Sequence, residues 1–148
     1  MKVQEVMNLW VKTVTPETKV SDVAAIMCLH RIPGLPVVVE GDRLVGMIAE
    51  KDLLHHLFPQ LDELMNGFAK TDFEAMESDY SKLSHVLVKD LMTTRVVTVP
   101  TDMPILRATS IMVQNRFRRI PVADKGRLKG VLSLGDVHKA LFRKSLEG

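Results

Sequence analysis

Hydrophobic and polar positions along the chain fall into one pattern that occurs twice. Each copy opens with a short extended piece rich in β-branched residues, Val11–Val14 and Val96–Val99. A helix follows in each. Its apolar positions in the first copy are Val20, Val23, Ala24, Ile26 and Met27, and in the second Ile105, Ala108, Ile111 and Met112, close to a 3.6-residue period. Thr18 is the expected cap of the first helix, and Asp102 followed by Pro104 marks the start of the second. Strands come next, Leu35–Val39 and Ile120–Ala123, each with a proline near its beginning. Turns at Glu40–Asp42 and Asp124–Gly126 lead into returning strands, Leu44–Ala49 and Leu128–Ser133. A second helix is predicted from Asp52 to Phe58 and from Asp136 to Phe142. The order is β-α-β-β-α, twice.

The two copies also match residue by residue. Val3, Met7, Thr13, Ile26, Arg31 and Pro36 recur 85 residues later as Val88, Met92, Thr98, Ile111, Arg116 and Pro121. Beyond the turn the spacing drops to 84, so Arg43, Gly46, Asp52 and Phe58 meet Arg127, Gly130, Asp136 and Phe142. Ordered identities with a single indel in a turn mark an internal duplication. Three segments are therefore expected: a first repeat over 1–58, a partly helical connection over 59–87 and a second repeat over 88–148. One repeat alone buries too little apolar surface for comfort, and two packed sheet to sheet would solve that. The connection carries Leu61, Leu64, Met65, Phe68, Phe73, Met76, Tyr80 and Leu83, so part of it should be helical and packed. Thr71–Glu74 fits a capping box. The same stretch is acidic, which suits either a solvated helical face or a partner-contact or lid element.

Composition narrows the function. The 148 residues are 46% hydrophobic and 26% charged, the balance of a globular domain. Twenty Lys and Arg against eighteen Asp and Glu give a net charge of +2, too near neutral for a general nucleic-acid binder. A pI of 8.8 still leaves room for a local basic patch. Aromatics are 5% against nine methionines, so base-stacking platforms are few. No apolar run is long enough for a bilayer and no signal peptide follows Met1. Cys28, the sole cysteine, excludes an internal disulfide. These features lead to the expectation of a cytoplasmic chain. The five histidines lack zinc-site spacing, no Walker-type loop is present, and nothing resembles a nucleophile with its base. No catalytic or metal residue is expected.

Ser133-Leu134-Gly135-Asp136 places a hydroxyl and a carboxylate three apart across a strand-to-helix junction. Such a pair can hold a vicinal diol, because a carboxylate offers two acceptor oxygens; it can equally be a simple helix cap. Arg116, Arg118 and Arg119 form a basic cluster just before a strand. They can bind phosphate or merely complement a helix end.

Taken together, Val88–Thr94 leading to Val96–Pro100, Arg119–Val122 and Gly130–Asp136 resemble the cystathionine β-synthase (CBS) domain family. In the first repeat, Val6-Met7, Val11–Pro16, Leu35–Val37 and Gly46–Asp52 resemble it too. The resemblance implies an α/β (α+β) fold of two units related by a pseudo-two-fold axis, with small mixed sheets packed together. It also implies clefts between the units, and pairs that commonly form homodimers. Such modules bind adenosine-containing ligands (AMP, ADP, ATP or S-adenosylmethionine) as regulators, with no required cofactor.

Carried over by position, the resemblance puts the ribose on Ser133 and Asp136, and adenine beside Arg95, Val96 and Val97. Phosphates fall to Arg118 and Arg119. Pro121, Lys12 and Asp52 complete the expected ligand-binding set. The first repeat departs from the pattern: Ala49 stands where the hydroxyl should be, and Pro33-Gly34 replaces the basic pair. One good site around Ser133 and Asp136 is therefore expected, with a weaker or empty one around Asp52. The resemblance equally allows Arg118 and Arg119 to serve the Asp52 site. The function this implies is a non-catalytic sensor of an adenine nucleotide that signals to a regulated protein partner, without membrane or nucleic acid. The alternatives are a dimerisation scaffold with vestigial sites, or S-adenosylmethionine binding.

Overall fold

The computed structural model describes residues 1–58 and 72–148. The elements are helices α1 (Val3–Val6) and α2 (Val20–His30), strands β1 (Gly34–Val39) and β2 (Arg43–Ala49), and helices α3 (Glu50–His55), α4 (Phe73–Asp79) and α5 (Val88–Leu91). Then come α6 (Ile105–Asn115), β3 (Arg119–Asp124), β4 (Arg127–Ser133) and α7 (Leu134–Glu147). The fold is mixed α/β with helices and antiparallel strands. Among the described residues no helix is long and apolar enough to cross a membrane.

Two compact units are present, and their limits are not those of the sequence repeats. The α6–α7 unit contains 1–12, 38–44 and 95–148; the α2–α3 unit contains 13–37 and 45–94. Each repeat gives its leading segment to the unit built around the other repeat's helices. Val3 of α1 is fully buried with Val99, Ile105, Ala108, Met112, Ile120 and Leu132. Val88 of α5 is fully buried with Val20, Val23, Leu35, Val37 and Ile48. The backbone fixes both exchanges. Val3 N–H donates to the Met103 carbonyl (2.8 Å) and Val88 N–H to the Thr18 carbonyl (2.9 Å).

In the α6–α7 unit β3 and β4 pair antiparallel, from Arg119 opposite Ser133 to Asp124 opposite Arg127. Lys125 and Gly126 both have positive φ, as a tight two-residue turn requires. The first hairpin turns through three residues, Glu40–Asp42. The one-residue indel of the duplication thus lies in this turn.

The extended pieces Val11–Val14 and Val96–Val99 are not full strands. Each makes one parallel bridge, Val14 to Val37 and Val99 to Val122. Val14 and Val99 donate to the carbonyls of Pro36 and Pro121, and those prolines have no N–H to extend a ladder. Thr18 does not cap α2. Its hydroxyl accepts from Thr15 N–H instead (3.0 Å), and Lys19 stands at the cap without a side-chain bond. Pro104, not Asp102, directly precedes α6. The second helices start earlier than predicted, and α7 runs on to Glu147.

In the connection, Asp72 caps α4 by accepting from Ala75 N–H (3.1 Å), and Leu83 is buried in the α2–α3 core. Leu61, Leu64, Met65, Phe68 and Thr71 lie outside the described residues.

One surface carboxylate is locked from two directions. Asp124 accepts from Thr101 N–H (3.1 Å) and from the Thr101 hydroxyl (2.8 Å). The backbone bond first, then the hydroxyl bond, and to a lesser extent nearby Lys129 hold its carboxyl below the usual value, against a small opposing effect of burial. The stabilisation is therefore full above the unfolded-state value, about 3.9, and is lost as pH falls through the lower folded value. Urea midpoints of the parent and Asp124→Asn should differ by a constant amount above about pH 5 and converge below about pH 4. A gap that persists undiminished at the acid end would remove this account.

Candidate functional site

The end of β4 gathers four of the residues singled out from the sequence, Ser133, Asp136, Arg118 and Arg119. Ser133 is both the last residue of β4 and the N-cap of α7. Its Oγ accepts from Asp136 N–H (3.0 Å), and Asp136 Oδ2 accepts in turn from Ser133 N–H (3.1 Å). This reciprocal capping satisfies two helix-end donors. It also leaves a definite remainder. The Ser133 hydroxyl proton and Asp136 Oδ1 take no part in the capping bonds, one a donor and the other an acceptor. Both residues are half-buried. A vicinal diol, with one oxygen accepting and its neighbour donating, matches that remainder.

Strand pairing brings the arginines to the same place. Arg119 lies directly opposite Ser133 in the antiparallel register, where facing Cβ atoms are about 5 Å apart. Arg118 is tied in through its carbonyl, which accepts from Leu134 N–H at the start of α7 (2.9 Å). Both arginines are exposed. No carboxylate lies within ion-pair distance of either among the described residues, whose ion pairs are Lys82–Asp79 and Lys89–Glu17. The Arg118 carbonyl link was not anticipated. The duplication could have suggested it, because the matching Pro33 carbonyl accepts from Glu50 N–H in the other unit (2.9 Å).

Arg95, Val96 and Val97 belong to the same compact unit. They run up to the Val99 anchor, with Val96 half-buried and Arg95 and Val97 exposed. Pro121 is buried, and its carbonyl receives Val99 N–H (3.2 Å); it fixes this approach rather than facing solvent. Arg116 ends α6 in the left-handed conformation (φ 59°), its N–H donating to the helix carbonyls.

The α2–α3 unit holds only part of this arrangement. Asp52 Oδ2 accepts from Ala49 N–H (2.8 Å), so the carboxylate half of the cap survives and Oδ1 stays outside it. Ala49 supplies no hydroxyl, and Pro33-Gly34 supplies no cation. Lys12, exposed, belongs to the α6–α7 unit rather than to the unit of Asp52. Chemically, then, one unit offers a hydroxyl donor and a carboxylate acceptor outside the capping bonds, flanked by guanidinium groups, and the other offers the carboxylate alone.

Comparison with known proteins gives these features a lineage. The CBS domain family model matches residues 3–59 and 88–143. The chloroplastic CBS domain-containing protein CBSX1 of Arabidopsis thaliana is 31% identical over 148 residues, an alignment covering 91% of this chain and 61% of CBSX1. This chain thus spans less than two thirds of that relative. MJ1426 of Methanocaldococcus jannaschii is 31% identical over 134 residues, covering 82% of this chain and 80% of the relative. Among solved structures, CBSX2 in complex with AMP superimposes with a TM-score of 0.75 at 28% identity, covering 97% of this chain and 98% of that one.

Proposed function

We propose, from the premise that this chain belongs to the CBS domain family, that it is a non-catalytic regulatory module that senses an adenine nucleotide at the β4–α7 junction. The Ser133 hydroxyl and Asp136 Oδ1 hold the ribose diol. Arg118 and Arg119 meet the phosphates as charge-assisted donors, and the Arg95–Val97 segment lies against the base. The observation that carries this reading is the register of Arg119 opposite Ser133. It brings the free Ser133 hydroxyl proton and Asp136 Oδ1 to one strand end with cations that make no ion pair among the described residues. The AMP bound by CBSX2, a relative of the same fold, supports the ligand class. Binding shifts the module between packings only by its differential affinity for them, and a protein partner reads the difference.

Thermal unfolding with AMP, ADP, ATP, S-adenosylmethionine and GTP tests the reading. A ligand at about a hundred times its dissociation constant should stabilise by roughly 2.7 kcal/mol, on the order of 5–10 °C for a chain of this length. Asp136→Asn is the discriminating variant. Its amide oxygen still caps Ser133 N–H, while the remaining amide group donates where a ribose hydroxyl needs an acceptor. Loss of the adenine-ligand shift with an unchanged ligand-free midpoint is the expected result.

A second reading has its own observation. The Ser133–Asp136 bonds are complete without any ligand, as a purely structural cap would be. If none of the five compounds moves the midpoint of refolded, ligand-stripped protein, the scaffold reading replaces the sensor.

A further inference from the structure

Positions 1–8 form a strap across the α6–α7 unit, and its last hold is beside the candidate site. The Met1 carbonyl accepts from Ile105 N–H at the start of α6 (3.1 Å), and Gln4 N–H donates to the Thr101 carbonyl (2.9 Å). Asn8 exchanges both backbone bonds with Val131 (2.9 and 3.0 Å), which stands two positions before Ser133 on β4. Packing makes the same link. Helix α1 lies against both α6 and α7. Val6 and Met7 pack on the core that also receives Leu134 and Phe117. Leu134 stands between Ser133 and Asp136, and Phe117 adjoins Arg118. The strap therefore supports the backbone that carries all four candidate residues.

The same strap can open without unfolding the rest of the unit. Val3 is the one buried residue among positions 1–12. The chain leaves the strap through Leu9 and Trp10, which are 66% and 92% exposed. Lifting it breaks a handful of backbone bonds and uncovers Val3, while the β3–β4 ladder and the α6–α7 packing stay in place. Terminal segments with few buried contacts open in this local way. Once lifted, β4 loses its bonds to Asn8 just before Ser133, and Leu134 loses Val6 and Met7 from its core. A nucleotide spanning Ser133, Asp136 and the arginines thus has a higher affinity for the docked state than for the lifted one.

We propose that the strap over 1–8 is a positioning element for the β4–α7 site: nucleotide binding holds the strap docked, and release of the nucleotide frees it. The proposal rests on the nucleotide reading above and adds the part of the molecule whose state the ligand changes. By linkage the effect runs both ways, so undocking the strap weakens binding.

Amide hydrogen exchange of the full chain, with and without AMP, tests this. In the free protein the Val3, Gln4 and Asn8 amides should exchange through strap opening, faster than amides of the β3–β4 ladder. With AMP at about a hundred times its dissociation constant, the strap amides should slow by at least about tenfold. An opening that leaves the site intact would keep its ligand-free rates, because the ligand stays bound through it. Val3→Asp sets a carboxylate in the core and should undock the strap. AMP affinity by calorimetry should then fall at least about tenfold, although Val3 is fully buried and beyond a ligand's reach. Gln4→Ala, at an exposed position of the same strap, should change neither reading. Circular dichroism checks that each variant is folded; should Val3→Asp fail to fold, the exchange rates of the parent decide. Strap rates unchanged while calorimetry shows AMP bound would overturn the proposal and leave the nucleotide reading standing, and so would a folded Val3→Asp chain with parental affinity. A parent chain that binds no adenine ligand removes the nucleotide reading and this proposal with it.

Discussion

Replacing Gly130 by alanine is expected to destabilise the protein by roughly 2–3 kcal/mol, with a midpoint lower by on the order of 5–10 °C. A Cβ at this position would sit 2.7 Å from the Asn8 carbonyl oxygen and 3.1 Å from Met7 Sδ. The methionine could swing aside; the carbonyl could not, because it accepts from Val131 N–H while Asn8 N–H donates to the Val131 carbonyl (3.0 and 2.9 Å). Relieving the clash means breaking that pair and lifting the leading segment off β4. Gly126→Ala is the instructive control. Gly126 has φ +78° and nothing within 4 Å of the new atom, so its cost is backbone strain alone, about 1 kcal/mol. Calorimetry or urea unfolding of the two variants separates the mechanisms. If Gly126→Ala proves the more damaging, close approach is not what Gly130 provides.

Removing both arginine side chains at the head of β3 should separate phosphate recognition from nucleoside recognition. Each charge-assisted bond contributes about 1.5–3 kcal/mol. Arg118→Ala with Arg119→Ala should therefore weaken AMP binding by about 100-fold or more and leave adenosine binding nearly unchanged. The fold should hold, because both side chains are exposed and the Arg118 carbonyl that receives Leu134 N–H is backbone. Titration calorimetry with AMP and adenosine on parent and variant gives the answer. An equal loss for both ligands would mean that the guanidinium groups act through the site's shape. An unchanged AMP affinity would mean that they face elsewhere.

Several features of the molecule could be read before any coordinates. The duplication, the strand positions, the turn that absorbs the indel and the pairing of Ser133 with Asp136 all leave marks in residue order. Thr18 was misplaced because a hydroxyl before a helix can bond either forward into it or back into its own turn, and only geometry decides between them. The extended pieces looked like strands because β-branched residues favour extended backbone; that preference does not say whether a partner has N–H groups to offer, and Pro36 and Pro121 do not. The exchange of leading segments left no mark. Matching Val3 to Val88 establishes that they are equivalent, yet it cannot say in which unit either is buried. At the candidate site, residue types suggested the diol and phosphate chemistry, whereas the arrangement that joins them, Arg119 across from Ser133, exists only once the hairpin is in register.

That exchange has a consequence for how the chain is made. Val3 finishes its burial against Ile105, Met112 and Leu132, about a hundred positions further along. During synthesis Val3 waits unsheltered until these partners have left the ribosome, at about 5–20 residues per second. The closing contacts are among the most distant in sequence, and contacts of that kind slow the search for the native state. Folding of the α6–α7 unit to completion therefore waits for the second repeat, whereas the α2–α3 unit needs only that repeat's leading segment, and a nascent chain arrested near residue 90 would leave Val3, Val6 and Met7 uncovered for chaperones to hold.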